Sequence, residues 1–366
     1  MELNKKTIIL LILSIYTVAM LVAAGFNLFN FKKDVSSWRQ IDLDYSLLRE
    51  KPRSLPVTGY FNILNGTTAE TPVEAAIIPL AVVIDNNFKG GASGLNQADL
   101  VVEFPVEGGV TRFVAFFDPS LNIKKIGPVR SVRPYFIDFS AGLHALIAHS
   151  GGSPIALELL AGDSLGVINV DEIGPRGVYF WRDNKKSPPH NLFTSTDLLR
   201  QAQSALAPDW LNEFDYQKAA WLWKYPVESN EPATEMEILA MAPGVAIDYS
   251  TEAFRVEYRY DFEKLVYVRY QGGELQLTAD GDKLVADNLL ISYMPIQVID
   301  EIGRLKMDTV GQNKAIICQR GQCREGIWTI SAADARIRFN VDEKEVEMIP
   351  GHTWLNIVPI GRGVSY

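Results

Sequence analysis

Residues 143–162 read LHALIAHSGGSPIALELLAG. An apolar run of strand length ends at His149-Ser150, two glycines turn the chain, and a helix-like stretch follows. Ser153 can cap that helix, and Pro154 suits its first position, where no N–H is required. This strand, turn and helix decide the fold class, because they place a helix against a sheet. Working back toward the amino terminus, PLAVVIDN (79–86) is a short, wholly apolar, β-rich run ended by polar residues, the mark of a strand buried on both faces. Further strands are expected at ADLVVEFPV (98–106), at TRFVAFFD (111–118) and around IKKIGPV (123–129), with Asp118-Pro119-Ser120 turning between the last two. Working forward, Thr194-Ser195-Thr196-Asp197 approximates a capping box before a second helix. Strands interspersed with helices predict an α/β sandwich domain with a mixed sheet over 77–225.

After the linker-like KYPVESNEPATE (224–235) the texture changes. FRVEYRYD, KLVYVRYQGG and LQLTADGDKL alternate short strands with turn signals and no convincing helix, so residues 235–362 are expected to form a smaller, β-rich domain. The whole is thus α+β or α/β in class. CQRGQC (318–323) predicts a hairpin in which Arg320-Gly321 form a two-residue turn and Gln319 pairs with Gln322. Cys318 and Cys323 would then face each other as a close pair. They are either a disulfide, formed in an oxidising compartment, or two independent thiols. No second ligand pair lies nearby, and no metal site is expected.

The amino terminus carries a different signal. From Thr7 to Phe29 no residue is charged, and a helix of that length spans roughly 34 Å, enough to cross a hydrocarbon layer of ~30 Å. Residues 7–29 are read as an uncleaved transmembrane anchor; Ala23-Ala24-Gly25 offers a cleavage-like site, yet apolar residues continue to Phe31. Lys5 and Lys6 face Lys32 and Lys33 across it. The amino group tips the balance toward an inside amino terminus, leaving the remainder outside the cytoplasm as a single-pass membrane protein. Residues 30–76, with Pro52, Pro56 and NGTTAETP, read as a stalk.

The composition, 47% hydrophobic and 22% charged, is that of a globular chain, and a net charge of −9 argues against a nucleic-acid partner. No cofactor motif is present. The residues suited to chemistry lie in the first domain. Arg112, Arg130, Arg133, Arg176 and Arg182 all sit in segments rich in glycine and proline. Guanidinium groups on a rigid backbone suit phosphate or carboxylate recognition, and they equally suit pairing with local acids such as Glu103, Glu107, Asp138 or Asp171. His149 and the Gly151-Gly152-Ser153 turn could gather N–H groups around an anion, or serve only to turn the chain. His190 and Asn191 follow Pro188-Pro189, where the histidine is a proton carrier, a phosphate contact or a structural post. Ser150 lacks the Gly-x-Ser-x-Gly setting of a hydrolase nucleophile, and no catalytic residue is assigned. His144 and His149 have no matching carboxylates, and Trp328 and Trp354 read as core.

PLAVVIDNN, GLNQADLVVEFPVEGGVTRF, KIGPVRSVRPYF, HSGGSP and PHNLFTST, followed by GIW and PGHTWLNIVP, resemble in order the YerB-like family of bacterial envelope proteins. The likeness runs over about 79–360. It implies a lipoprotein-like envelope protein with amino- and carboxy-terminal domains of unknown function. This chain has no cysteine after its apolar segment, so a helix would replace the lipid anchor. Residues 111–160 are also similar in layout to LytR-type envelope phosphotransferases, which hold a polyprenyl pyrophosphate with arginines. That layout sets Arg130 on a phosphate-binding arginine, whereas Arg112 falls where those enzymes carry an acid. The expectation is a membrane-tethered protein whose first domain binds a phosphate-bearing ligand, for which a lipid-linked phosphate would suit the tether; the rival is a non-catalytic scaffold that docks another envelope protein.

Overall fold

The computed structural model describes residues 60–366 except 87–89, 163–165, 211–214 and 225–243. Contacts divide the chain into Met1–Glu50 and Lys51–Tyr366, and the described residues belong to the second unit. The anchor expected over 7–29 lies outside them. Among the described residues no helix is long and apolar enough to cross a membrane.

The protein is mostly β. In the first half, β1 (Leu80–Asp85), β2 (Leu100–Pro105), β3 (Thr111–Phe117), β4 (Leu146–His149) and β5 (Ile168–Asp171) join one sheet. In the second half β6 (Gly244–Asp248), β7 (Arg255–Asp261), β8 (Val266–Gln271), β9 (Glu274–Leu275) and β10 (Val285–Ala286) form a smaller sheet, which β17 (Val364–Ser365) completes. The strands β11 (Asn288–Met294), β12 (Gly311–Gln319), β13 (Gln322–Ile330), β14 (Arg338–Val341), β15 (Lys344–Glu345) and β16 (Thr353–Pro359) return to the first sheet. Its order is β15-β14-β13-β12-β11-β16-β2-β3-β1-β4-β5, eleven strands, with parallel pairs at β11/β16, β16/β2, β1/β4 and β4/β5. The mixed sheet agrees with the reading of the sequence. Its continuity does not follow from that reading: the carboxy-terminal segment supplies six of the eleven strands.

Alternation along β1 shows why the segment is apolar throughout. Leu80, Val82 and Ile84 belong to one buried cluster, which includes Tyr258 and Tyr267 of the smaller sheet. Ala81 and Val83 belong to the other, with Tyr135, Phe136 and Trp328. Both faces of the sheet are covered, so each side-chain row loses contact with water. Trp328 and Trp354 are core residues, 1% and 2% exposed.

Among the described residues three helices have seven or more residues: α1 (Pro134–Ala141), α2 (Pro154–Leu160) and α3 (Thr196–Leu206). Ser153 caps α2 with Pro154 in its first turn, as its sequence suggests. The cap of α3 is Ser195, which accepts from Leu198 N; the chain at Leu192–Phe193 is still extended, so the start falls one residue after Thr194. Helix α1 was not expected. Pro134 opens it with Arg133 as the capping residue, a use of proline at the first helical position that its neighbour Pro128 obscures.

Two expectations need correction. The segment around IKKIGPV is no ladder strand: Ile126, Gly127, Val129 and Val132 form isolated bridges with Thr194, Ser93, Ile84 and Gly152 in turn. Pro128 cannot donate, so the segment distributes its bonds among separate partners. The stalk expected over 30–76 ends sooner, because Tyr60–Phe61 pairs with Thr68–Ala69 and Ile63 and Leu64 are fully buried. The hairpin at CQRGQC forms in the expected register, Gln319 opposite Gln322 and Cys318 opposite Cys323. Arg320 and Gly321 both have positive φ, 50° and 76°, the geometry of a type I′ turn. The two cysteines are joined as a disulfide.

Candidate functional site

At the end of β1 the sheet delivers Asp85 beside Arg112 of the neighbouring β3. The irregular segment after Pro128 lays Arg130 across this corner, its main chain held by Val83 O and by Ser150 N. Arg130 Nη2 reaches Asp85 Oδ2 at 3.2 Å, and Nη1 donates to Pro189 O at 3.2 Å. His190 completes the group, its Nδ1 2.5 Å from the same Asp85 Oδ2. Arg133 turns to Glu107 in a two-pronged pair at 2.6 and 2.8 Å. Burial pushes the Glu107 carboxyl upward, but the Arg133 hydrogen bonds, a main-chain hydrogen bond and the charges of Arg133 and Arg112 together hold the group below its ordinary value.

Arg112 differs from its neighbours. Its Nη1 donates to Ser131 O at 2.8 Å, its Nε is enclosed without a partner, and no ion pair joins it to a carboxylate among the described residues. Burial, and then the charge of Arg133, bring its pKa down to about 10, with Arg130 acting in the same direction. Three arginines therefore stand against two carboxylates, Asp85 and Glu107, an excess of one positive charge.

A second polar string runs alongside. Arg182 donates to Glu172 Oε1 at 2.8 Å and to Asn191 Oδ1 at 3.1 Å, and Ser150 Oγ donates to Glu172 Oε2 at 2.9 Å. Two N–H groups of the Gly151-Gly152-Ser153 turn are already engaged: Gly151 N donates to Asp171 Oδ1 at 2.8 Å and Ser153 N to Val132 O at 3.2 Å. Both His149 ring nitrogens are bonded, to Gly151 O and Asn169 Oδ1, each at 2.9 Å, and burial lowers its pKa despite Asp171 nearby. The structure thus gathers Arg112, Arg130 and His190, sets Arg133 and Asn191 beside them, and leaves His149, Gly152 and Ser153 in structural positions. Arg176 covers the outer edge of β5 by donating to Asn169 O. His144 stacks on Trp210, ring centroids 4.3 Å apart.

Reading along the chain misses Asp85 and Glu172. The available signal is an acid at the last position of a buried strand, where a side chain emerges from the sheet edge. It also misses the most deeply buried charge. Glu103, a candidate partner for the arginines of the first half, instead pairs with Arg269 of β8 at 2.7 Å, both side chains having no exposure. Thr111 and Asn86 bond the other Glu103 oxygen, Tyr258 and Gln271 bond the guanidinium, and Arg269 lies 5.0 Å from the Trp354 ring centroid.

Comparison with known proteins agrees with this architecture. Residues 64–209 match the amino-terminal domain, and residues 245–355 the carboxy-terminal domain, of the family described as protein of unknown function DUF3048. The chain is 33% identical over 288 residues to the "Putative lipoprotein YerB" of Bacillus subtilis (strain 168), covering 77% of this chain and 81% of that one. The crystal structure of the YerB protein from Bacillus subtilis superposes with a TM-score of 0.70 at 30% identity, covering 84% of this chain and 99% of the other. Two family domains in order and a shared fold over most of both chains place this protein in the YerB-like DUF3048 family.

Proposed function

We propose that this chain is a membrane-anchored, extracytoplasmic protein whose arginine corner binds a phosphate-bearing anion. The printed name of the Bacillus subtilis relative describes a lipoprotein, which supports an envelope location. Here the apolar segment 7–29 would supply the anchor, since the cysteines of the chain are Cys318 and Cys323. A phosphate carried on a lipid suits a site tethered at that surface.

One observation carries the reading: Arg112 is held beside Arg130 and Arg133 with no direct ion pair to a carboxylate among the described residues, Asp85 and Glu107 acting on it without contact. A guanidinium kept in such a place is costly, and a bound anion would supply the missing charge. The test is calorimetric titration of the full chain in detergent with pyrophosphate. Arg112→Met should weaken binding by about tenfold to a hundredfold, the worth of one or two charge-assisted hydrogen bonds, without lowering the thermal midpoint. Absence of binding in the wild-type chain removes the proposal.

The scaffold reading has its own support. Ile155, Ile173 and Val178 are 48%, 66% and 73% exposed, apolar side chains available to another protein. A partner recovered from membranes in constant ratio, and retained by Arg112→Met, would favour it.

A further inference from the structure

The same corner sets His190 against Asp85. His190 meets Asp85 through Nδ1 alone, and its Nε2 has no partner among the described residues. The imidazole is 41% exposed while Asp85 is 14% exposed, so the orienting acid is sheltered and the ring opens outward. A carboxylate on Nδ1 favours the tautomer with the proton there and leaves the Nε2 lone pair free, with Arg130 Nη2 3.4 Å from the same Nδ1. The loop is fixed as well: His190 N donates to Ser187 O at 3.0 Å, and Arg130 holds the carbonyl of Pro189.

The nearby hydroxyl groups are already engaged. Ser131 Oγ donates to Ser150 O at 2.9 Å, and Ser150 Oγ to Glu172 at 2.9 Å. The group left for His190 to activate is water. The geometry points to hydrolysis of a phosphate ester or phosphoanhydride, with His190 as general base, Asp85 as its positioning residue, and Arg130 and Arg112 facing the phosphate charge. This rests on the anion-binding reading of the same site. In the step, a water oxygen bonds to phosphorus as the bond from phosphorus to the leaving oxygen breaks. His190 Nε2 takes a proton from that water and returns it to the leaving oxygen, so charge and protons balance.

Two measurements on the full chain in detergent separate the readings: calorimetric binding of pyrophosphate, and release of phosphate from pyrophosphate and from p-nitrophenyl phosphate. The wild-type chain should bind pyrophosphate and release phosphate. His190→Asn should lower the rate about a hundredfold or more, with a much smaller change in pyrophosphate affinity. Asp85→Asn should lower kcat with little change in KM while His190 remains in place, a response that a purely structural role would not produce. Circular dichroism and thermal midpoints establish that both variants fold, and His190→Gln replaces His190→Asn if that variant does not. Binding without release from either compound overturns the hydrolytic role and leaves the anion site standing. Release that persists in a folded His190 variant overturns it too. Absence of binding defeats the anion reading itself.

Discussion

Arg269 and Glu103 show what a single pair of residues can decide. Both have zero exposure, and each holds further hydrogen-bond partners from strands of the two sheets. Removing one member leaves a buried charge without its counter-charge. Arg269→Met should cost about 3–5 kcal/mol in urea unfolding, whereas Arg269→Met with Glu103→Met should recover much of that loss. A double change as costly as the sum of the two singles would show that the pair is uncoupled. The candidate site inverts this balance. Arg130 and Arg133 keep their acids, Arg112 has no direct ion pair among the described residues, and so Arg112 is the residue whose loss separates binding from folding. Glu107 was legible as a partner because it lies in the same glycine-rich neighbourhood as the arginines. Asp85 was not, because its closeness to Arg130 and His190 is produced by the sheet.

Elements were legible where their determinants are local. The type I′ turn at Arg320-Gly321 sets the register of β12 with β13, and the Ser153-Pro154 pair sets the start of α2. The isolated bridges around Pro128 were not legible as such, since they depend on four separate partners. In β13, Gly326 explains part of the GIW string. A Cβ there would lie 2.4 Å from Asn340 O in β14 and 2.9 Å from an Ile317 methyl group. The strand is packed too closely for a side chain at this point. Gly326→Ala should therefore cost about 1–3 kcal/mol through displaced backbone. Amide exchange should show β14 and β15 losing protection before the rest of the sheet; unchanged stability would mean that the two strands can separate freely.

At the scale of the molecule, the main sheet depends on both halves of the chain. β2 lies between β3 of the first half and β16 of the second, and the smaller sheet covers one face of β1 and β3. A fragment of residues 60–224 would expose an unpaired β2 edge and an apolar face. It should show no cooperative urea transition alone and should regain one when residues 244–366 are added, as followed by circular dichroism and amide exchange. A stable, cooperative 60–224 fragment would refute the shared core. The family domains at 64–209 and 245–355 are thus segments of sequence whose strands complete one another in space.

The sequence by itself determined the buried strands, the capped helix α2, the cysteine hairpin and the concentration of arginines between glycines and prolines. Each of these follows from torsional preference, side-chain periodicity or hydrogen bonds within a few residues. Only the tertiary structure decided which arginine has no direct ion pair among the described residues, that His190 meets Asp85 across 105 positions, and that Glu103 meets Arg269 across 166. Those pairings depend on where the merged sheet excludes water and brings distant charges together, which no local pattern encodes.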